Sequence, residues 1–350
     1  MYIRNRNIQV CIAKEILLNS SNAFVAVYGA TGHTGRFVVQ ELVRRGLPVV
    51  AVGRGAAQAT PGVPTRLAAI DDPAALDRAF EGCAVVINCA GPFLDTAAPL
   101  IEAALRAGCS YLDVTAEQAS AQDTFERYDE RARAAGRVVI PAAGFYGGLA
   151  DLLASALVGA RRTQEMTVAM GLDHWWPTQG TRITGERNQV PRVVIQDGRL
   201  VPMTLPAARV PWTFGTAHGR QELVELPLSE VVTIARHLAV DNLHVYLTAK
   251  VLEQINDAST PAPTAVDAQG RSAQRFVLEV VARNGAGTRR AAAHGQDIYA
   301  VTAPIVVEAA ARILAPAFDR SGALALAQAF DATDFLRAIA SEHLVVELPD

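Results

Sequence analysis

An apolar run that ends on three evenly spaced glycines constrains this chain more than any other feature. Residues 24–28 (FVAVY) lead straight into Gly29-Ala30-Thr31-Gly32-His33-Thr34-Gly35-Arg36, and an amphipathic stretch follows over 37–45. This reads as a strand, a sharp turn and a helix, and a second apolar run over 47–53 closes a βαβ unit. Gly29 allows the tight turn, Gly32 lets backbone approach a pyrophosphate, and Gly35 lets helix and strand pack closely. The helix N-terminus then aims amide groups and the positive end of its dipole at phosphate oxygens. Thr31, His33, Thr34 and Arg36 lie in the same turn and count as cofactor-facing. The spacing is G-x-x-G-x-x-G rather than G-x-G-x-x-G, but its strand-turn-helix context points to a dinucleotide site.

The alternation continues after that unit. A strand is expected over 65–70. A helix follows from Pro73 to 80 with Asp72 as N-cap, and then comes the unbroken apolar strand 83–89 (CAVVINC). A helix over 96–107, a strand over 111–115, a helix over 119–135 and a strand over 137–142 complete six strands. Continuous apolar strands between helices make a Rossmann-type doubly wound parallel sheet.

The pattern changes near Asp151. A helix to 160 leads into strands over 166–171, 192–196, 221–225 and 231–234. Asp197-Gly198 and Asn284-Gly285-Ala286-Gly287 mark hairpin turns. The expected architecture is α/β with a second, α+β domain on a largely antiparallel sheet. Its parts are an extension over 1–22, the Rossmann domain over 23–150, the α+β domain over 151–297, and C-terminal helices over 298–350 packing back on the first domain.

The net charge of −3, without charge runs, argues against nucleic acid as a partner. The four cysteines form no C-x-x-C pair and stand near no histidine cluster. Neither a disulfide framework nor a metal site is expected, and a cytoplasmic setting fits. Pro141, Gly147-Gly148 and Asp151 interrupt the longest apolar stretch, so no membrane span is expected.

The end of the second strand decides the cofactor. An NAD-selective fold carries an acidic residue there for the ribose 2′-hydroxyl, whereas this chain has Gly53-Arg54. Arg54, with Arg36, suits a 2′-phosphate, so NADP(H) is favoured over NAD(H). Asp71, ending the third strand, either meets the adenine amino group or caps a helix. Asn88 and Ala90-Gly91-Pro92-Phe93 end the fourth strand beside the crossover where open sheets bind ligands. On the substrate side, residues 174–188 gather His174, Trp175, Trp176, Arg182 and Arg187, enough to stack on a ring or clamp a carboxylate. Phe145 joins them from the end of the sixth strand. Candidate proton donors are Glu117, Tyr146 and His174. Tyr246 and Lys250 match a Tyr-x-x-x-Lys pair, but they fall after the antiparallel segment, where an ordinary helix surface is expected.

The first half resembles the saccharopine dehydrogenase-like oxidoreductases, a family that includes saccharopine reductases and trans-acting enoyl reductases. The resemblance rests on residues 29–36, on Asn88-Cys89-Ala90-Gly91-Pro92-Phe93, on Tyr111-Leu112-Asp113-Val114-Thr115-x-Glu117 and on the glycine-rich turn before Asp151. It implies a nicotinamide cofactor, usually NADP, bound at Gly29, Gly32, Gly35 and Arg54, with the nicotinamide near Gly91-Pro92-Phe93 and substrate between the domains. The expected function is therefore NADP(H)-dependent hydride transfer to or from a small-molecule carbonyl, imine or enoyl group. Two other readings compete: a non-catalytic NADP-binding regulatory or scaffold protein, and a partner-dependent trans-acting enoyl reductase. The edge of the second sheet suggests a homodimer.

Overall fold

A computed structural model of the protein describes residues 23–55, 60–215, 218–285 and 287–349, so the extension expected over 1–22 lies outside the described residues. The first part runs β1 (Phe24–Tyr28), α1 (His33–Arg44), β2 (Val49–Gly53), β3 (Thr65–Leu67), α2 (Pro73–Phe80), β4 (Cys83–Asn88), α3 (Phe93–Arg106), β5 (Ser110–Asp113), α4 (Gln118–Ala134) and β6 (Val138–Ile140). These strands pair in parallel in the order β3-β2-β1-β4-β5-β6. The order reverses between β1 and β4, and the glycine turn and residues 89–93 both emerge at that switch point. Val25, Ala26, Val27, Val85, Val86 and Ile87 are fully buried, as strands covered on both faces require. Asp72 caps α2, accepting from the Ala75 amide at 2.9 Å, with Pro73 in the first turn.

The second part opens with a short π-helix, Phe145–Leu149, that continues into α5 (Ala150–Val158). It then runs β7 (Thr163–Leu172), α6 (Gln179–Arg187), β8 (Val193–Gln196), β9 (Arg199–Pro202), β10 (Arg209–Thr213), β11 (Arg220–Glu225), α7 (Ser229–Ala235), β12 (Val240–Thr248), α8 (Ala249–Asn256), β13 (Arg275–Asn284), β14 (Gly287–Gln296) and α9 (Thr302–Ile313). The chain ends with β15 (Gly322–Ala323), α10 (Leu326–Ala329), α11 (Ala332–Ile339) and β16 (Leu344–Glu347). The second sheet follows the order β10-β11-β12-β7-β13-β14-β16, with β8 and β9 attached beside β12. Its pairs are antiparallel except β12 with β7, which run parallel. Asp197 and Gly198 have φ of 50° and 73°, the two left-handed residues that a tight β8–β9 hairpin needs.

Three local expectations are corrected. Residues 231–234, expected as a strand, lie inside α7, with Val231 and Ile234 fully buried; so short an apolar run does not separate strand from helix. Tyr246 and Lys250 share no helix, because Tyr246 sits on β12, stacked beside His244, while Lys250 begins α8. The last fifty residues are not helices alone. Gly322–Ala323 extends the first sheet beside β6, and Leu344–Glu347 extends the second beside β14.

One apolar core joins the two sheets. Phe145, Leu149, Leu152 and Leu153 pack in it with Phe276 and Leu278 of β13 and with Ile305 and Val306 of α9. A second core, including Phe80, Leu100, Ile101 and Tyr128, fills the far face of the first sheet. Helix α9 lies on α1, where Arg45 and Glu308 pair at 2.5 Å. Among the described residues, no helix is long and apolar enough to cross a membrane.

Candidate cofactor and substrate site

The glycine turn is dictated by sterics. Gly29 has φ of 79°, and a Cβ there would lie 2.9 Å from Ala90 Cβ and 3.1 Å from the Ala90 nitrogen. Gly35 is tighter still, for its Cβ would lie 2.1 Å from the Gly29 carbonyl oxygen. The Gly32 amide donates to that same oxygen at 2.9 Å. Helix α1 has no side-chain N-cap and no acidic residue in its first turn, so its positive end stays open. Thr31, Gly32 and Arg36 are exposed, and His33 and Thr34 are half-buried. Arg54 is exposed just past β2, and neither it nor Arg36 forms an ion pair among the described residues. Arg54 and Asp71 act in opposite senses on Tyr28 beneath them, whose hydroxyl burial pushes above the usual phenol range. Asp71 caps nothing, since α2 is capped by Asp72.

The turn after β4 is held from below. Asn88, read from sequence as a cofactor contact, is fully buried with its amide engaged inside the protein. Its nitrogen donates to Thr96 Oγ1 and to the Tyr111 hydroxyl, each at 3.1 Å, and its oxygen accepts from the Ala90 amide at 2.9 Å. Tyr111 donates onward to Asp113 Oδ2 at 3.1 Å, while Asp113 Oδ1 accepts from the Thr115 and Ala142 amides. Burial still raises the Asp113 carboxyl to about 6. Pro92 is the N-cap of α3 and offers no side-chain acceptor, so Glu117 serves instead. Its carboxylate accepts from the Phe93 amide at 2.7 Å and the Leu94 amide at 3.1 Å. Burial lifts Glu117 above the ordinary carboxylate range, and these bonds oppose the shift. Asn88 and Glu117 thus shape the Ala90–Phe93 turn; Glu117 is occupied as a cap.

Residues 174–187 cover this turn. A Cβ on Gly91 would lie 2.6 Å from Thr184 Oγ1 of α6. Trp175 is buried, and its Nε1 donates to the Tyr299 hydroxyl at 3.0 Å, which also bonds Thr181 Oγ1 at 3.0 Å. The Tyr299 ring meets His33 of the glycine turn edge-on at 5.2 Å, so the cover touches the turn directly. Burial lowers the His33 pKa, and its Nε2 has no hydrogen-bond partner.

The two arginines expected to clamp a substrate are already committed. Arg182 donates to the carbonyls of Ile255, Asp257 and Thr260, and Arg187 pairs with Asp95 at 2.9 Å. His174 is exposed and stacked on Trp176 at 4.9 Å, away from any proton-relay partner beyond Asp173. Phe145 packs on Phe276, while the Tyr146 hydroxyl is buried without a partner. Sequence reading missed Tyr299 and Thr181. Only Tyr299, an aromatic just past a strand end, carried a usable signal.

Residues 25–140 match the family model described as the saccharopine dehydrogenase NADP binding domain. The chain is 30% identical over 152 residues to a saccharopine dehydrogenase-like oxidoreductase of Bos taurus, an alignment covering 37% of this chain and 35% of that one. It is 27% identical over 150 residues to a provisionally named trans-acting enoyl reductase of Mycobacterium tuberculosis, covering 39% and 36%. The chain thus spans little more than a third of the length of these curated relatives. A solved structure of a meso-dapdh mutant from Clostridium tetani aligns over 91% of this chain and 96% of its own, at 14% identity and a TM-score of 0.47. Residues 25–140 therefore match an NADP-binding domain of the saccharopine dehydrogenase type, and in that part the chain is similar to the saccharopine dehydrogenase-like oxidoreductases.

Proposed function

We propose that the protein is an NADP(H)-dependent oxidoreductase acting on a small carbonyl, imine or enoyl compound held between the carboxyl edge of the first sheet and the cover at 174–187. The observation that carries this reading is the glycine turn: an open helix N-terminus, two backbone approaches that no side chain fits, and two unpaired guanidinium groups beside them. The residues present fit the cofactor. Amides of residues 32–35 would bind the pyrophosphate, Arg54 and Arg36 would hold the 2′-phosphate, and Asp71 would serve the adenine. Ala90, Gly91, Pro92 and Phe93 would flank the nicotinamide. When bound, the cofactor supplies or accepts the hydride. Trp175 and Tyr299 exclude water and fix the substrate against the turn.

The test is a fluorescence titration of NADPH and NADH into wild type and Arg54→Ala. The variant should lose roughly tenfold or more in NADPH affinity, about 1.4 kcal/mol, with NADH little changed. Equal affinities for the two cofactors in wild type would remove the 2′-phosphate argument.

A further inference from the structure

A line of buried hydrogen bonds beneath the Ala90–Phe93 turn can run in one direction only. It begins at a backbone amide, which can only donate: the Ala90 N–H gives its proton to Asn88 Oδ1 at 2.9 Å. That engages the Asn88 oxygen, so the nitrogen faces the other way and donates to Thr96 Oγ1 and to the Tyr111 hydroxyl. Tyr111 has one proton, and it goes to Asp113 Oδ2 at 3.1 Å. The line ends there, at a carboxylate whose other oxygen already accepts from the Thr115 amide at 3.0 Å and the Ala142 amide at 2.8 Å. Ala142 holds φ of 55° without being glycine and leads toward the π-helix, so the same carboxylate also fixes the exit from β6. Asn88, Tyr111 and Asp113 are fully buried, and a mismatch among them has no bulk water to repair it.

We propose that Asp113 is a positioning residue for the nicotinamide half of the cofactor: as a carboxylate it sets the turn after β4 through Tyr111 and Asn88, and on taking a proton from solvent it releases that turn. The inference rests on the NADP reading above. Every acceptor in the line is matched only while Asp113 is ionised. A proton on Oδ2 makes that atom a donor toward the Tyr111 oxygen. The phenol proton then lacks an acceptor unless the Asn88 amide turns over, and the turned amide sets its nitrogen against the Ala90 N–H. Two donors face each other and the turn loses its anchor. A proton on Oδ1 opposes the Thr115 and Ala142 amides instead, with the same outcome at the other end of the carboxyl group.

The surroundings bring that proton within reach of mild acid. Burial raises Asp113 to about 6, against the pull of the Ala142 and Thr115 amides and the Tyr111 hydroxyl. The other titratable groups acting at this place are Cys89 at the end of β4 and Glu117 beyond β5. Burial pushes the Cys89 thiol up to about 12, so it stays neutral, and lifts Tyr111 well above the phenol range, so it keeps its proton. Glu117 feels Asp113 as a like charge but is held by the Phe93 and Leu94 amides. From the β6 side the contact is the Ala142 amide, which does not titrate.

The test titrates the full chain calorimetrically with NADP+ and with 2′-phospho-ADP-ribose, the same molecule without its nicotinamide. The phosphates and their own titration are common to both probes, so the ratio of the two affinities reads the nicotinamide side alone. In wild type the preference for NADP+ should fall roughly tenfold as pH drops through about 6, because the bound state favours the carboxylate. Asp113→Asn puts an amide nitrogen where the protonated oxygen would be. It should show the low ratio at every pH, with its affinity for 2′-phospho-ADP-ribose unchanged. Tyr111→Phe cuts the line but leaves Asn88 bonded to Ala90 and Thr96. It should remove the pH dependence, and Asp113→Asn added to it should not change the ratio further. A wild-type ratio that is flat with pH overturns the inference. So does an Asp113→Asn protein that weakens both probes equally, which is what a merely structural role does. If Asp113→Asn does not fold, wild type and Tyr111→Phe decide the matter, and the same pH dependence in both overturns it. A wild type that binds neither probe overturns the NADP reading, and the inference falls with it.

Discussion

The two walls that meet at the Ala90–Phe93 turn are built by different means. The first-sheet wall, from Gly29 to Asp113, is made of backbone, small residues and bonded polar groups, with every side-chain hydrogen bond of Asn88 lying within 23 residues in sequence. The opposing wall is aromatic and titratable, and its contacts span the chain. Trp175 reaches Tyr299 across 124 residues, and the Tyr299 ring meets His33. No residue of α6 is buried. Rigid backbone geometry serves a cofactor whose shape never changes.

The same substitution made on each wall separates them most sharply. Gly35→Ala drives a methyl group to within 2.1 Å of the Gly29 carbonyl oxygen, a backbone atom that cannot rotate away. Overpacking of that kind costs about 3 kcal/mol or more, and the turn should lose its fit to NADPH as well. Gly185→Ala, in α6, meets nothing within 4 Å. It should stabilise by roughly 0.5–1 kcal/mol through helix propensity alone. Urea denaturation of both variants, with NADPH titration of each, checks the contrast. A Gly35→Ala protein of wild-type stability would mean that the Gly29 carbonyl can move aside.

The titratable wall makes a pH-dependent contribution of opposite sense to a salt bridge. Glu230 is raised from 4.5 to about 7, so the folded state holds its proton more tightly than the unfolded chain does. The cost of that burial is absent below the unfolded value, grows as pH rises through the window, and is complete above about 7. Glu230→Gln removes it. The variant should match wild type near pH 4.5 and exceed it at pH 8 by up to about 3 kcal/mol, an upper bound from the size of the shift. A stability difference independent of pH would mean that Glu230 is ionised throughout and acts only as a helix cap.

How much was legible in the sequence follows the same division. The glycine turn, the apolar run before Asn88 and the Asp72-Pro73 helix start announced the first sheet, because their physics is local: a positive φ, a strand buried on both faces, a capped first turn. Asn88 and Glu117 stood out as polar residues at strand ends, but their partners were not visible, so one read as a ligand and the other as an acid. The second wall was readable only as composition. Its aromatics were seen in Trp175 and Trp176, but Tyr299 and Glu230 enter through long-range packing. Glu230 was further hidden because the apolar run after it has no period that distinguishes a turn of helix from a strand.

The two arginines of the cover give the smallest and most instructive contrast. Both were read as anion clamps, and both are engaged, but in different surroundings. Arg182 is half-buried and donates to the carbonyls of Ile255 in the last turn of α8 and of Asp257 and Thr260 beyond it, the shortest bond being 2.7 Å to Thr260. Its removal leaves those acceptors to water and leaves Thr181, bonded to the Tyr299 hydroxyl, as a remaining tie of α6 to the second wall. Arg182→Ala should cost about 1–2 kcal/mol, the ordinary net worth of a few hydrogen bonds to a charged donor. Arg187 and Asp95 pair with side chains 55% and 48% exposed, where water screens the attraction and ordering two long side chains offsets most of it. Arg187→Ala should therefore cost less than about 0.5 kcal/mol. The pair nonetheless links α6 to α3, one wall to the other. A double-mutant cycle of Arg187→Ala with Asp95→Ala, run with and without NADPH, measures whether cofactor binding tightens that link. A coupling above about 1 kcal/mol only in the presence of NADPH would make the exposed pair a latch on the filled site. Equal, small coupling in both states would leave the aromatic contact between His33 and Tyr299 to hold the walls together.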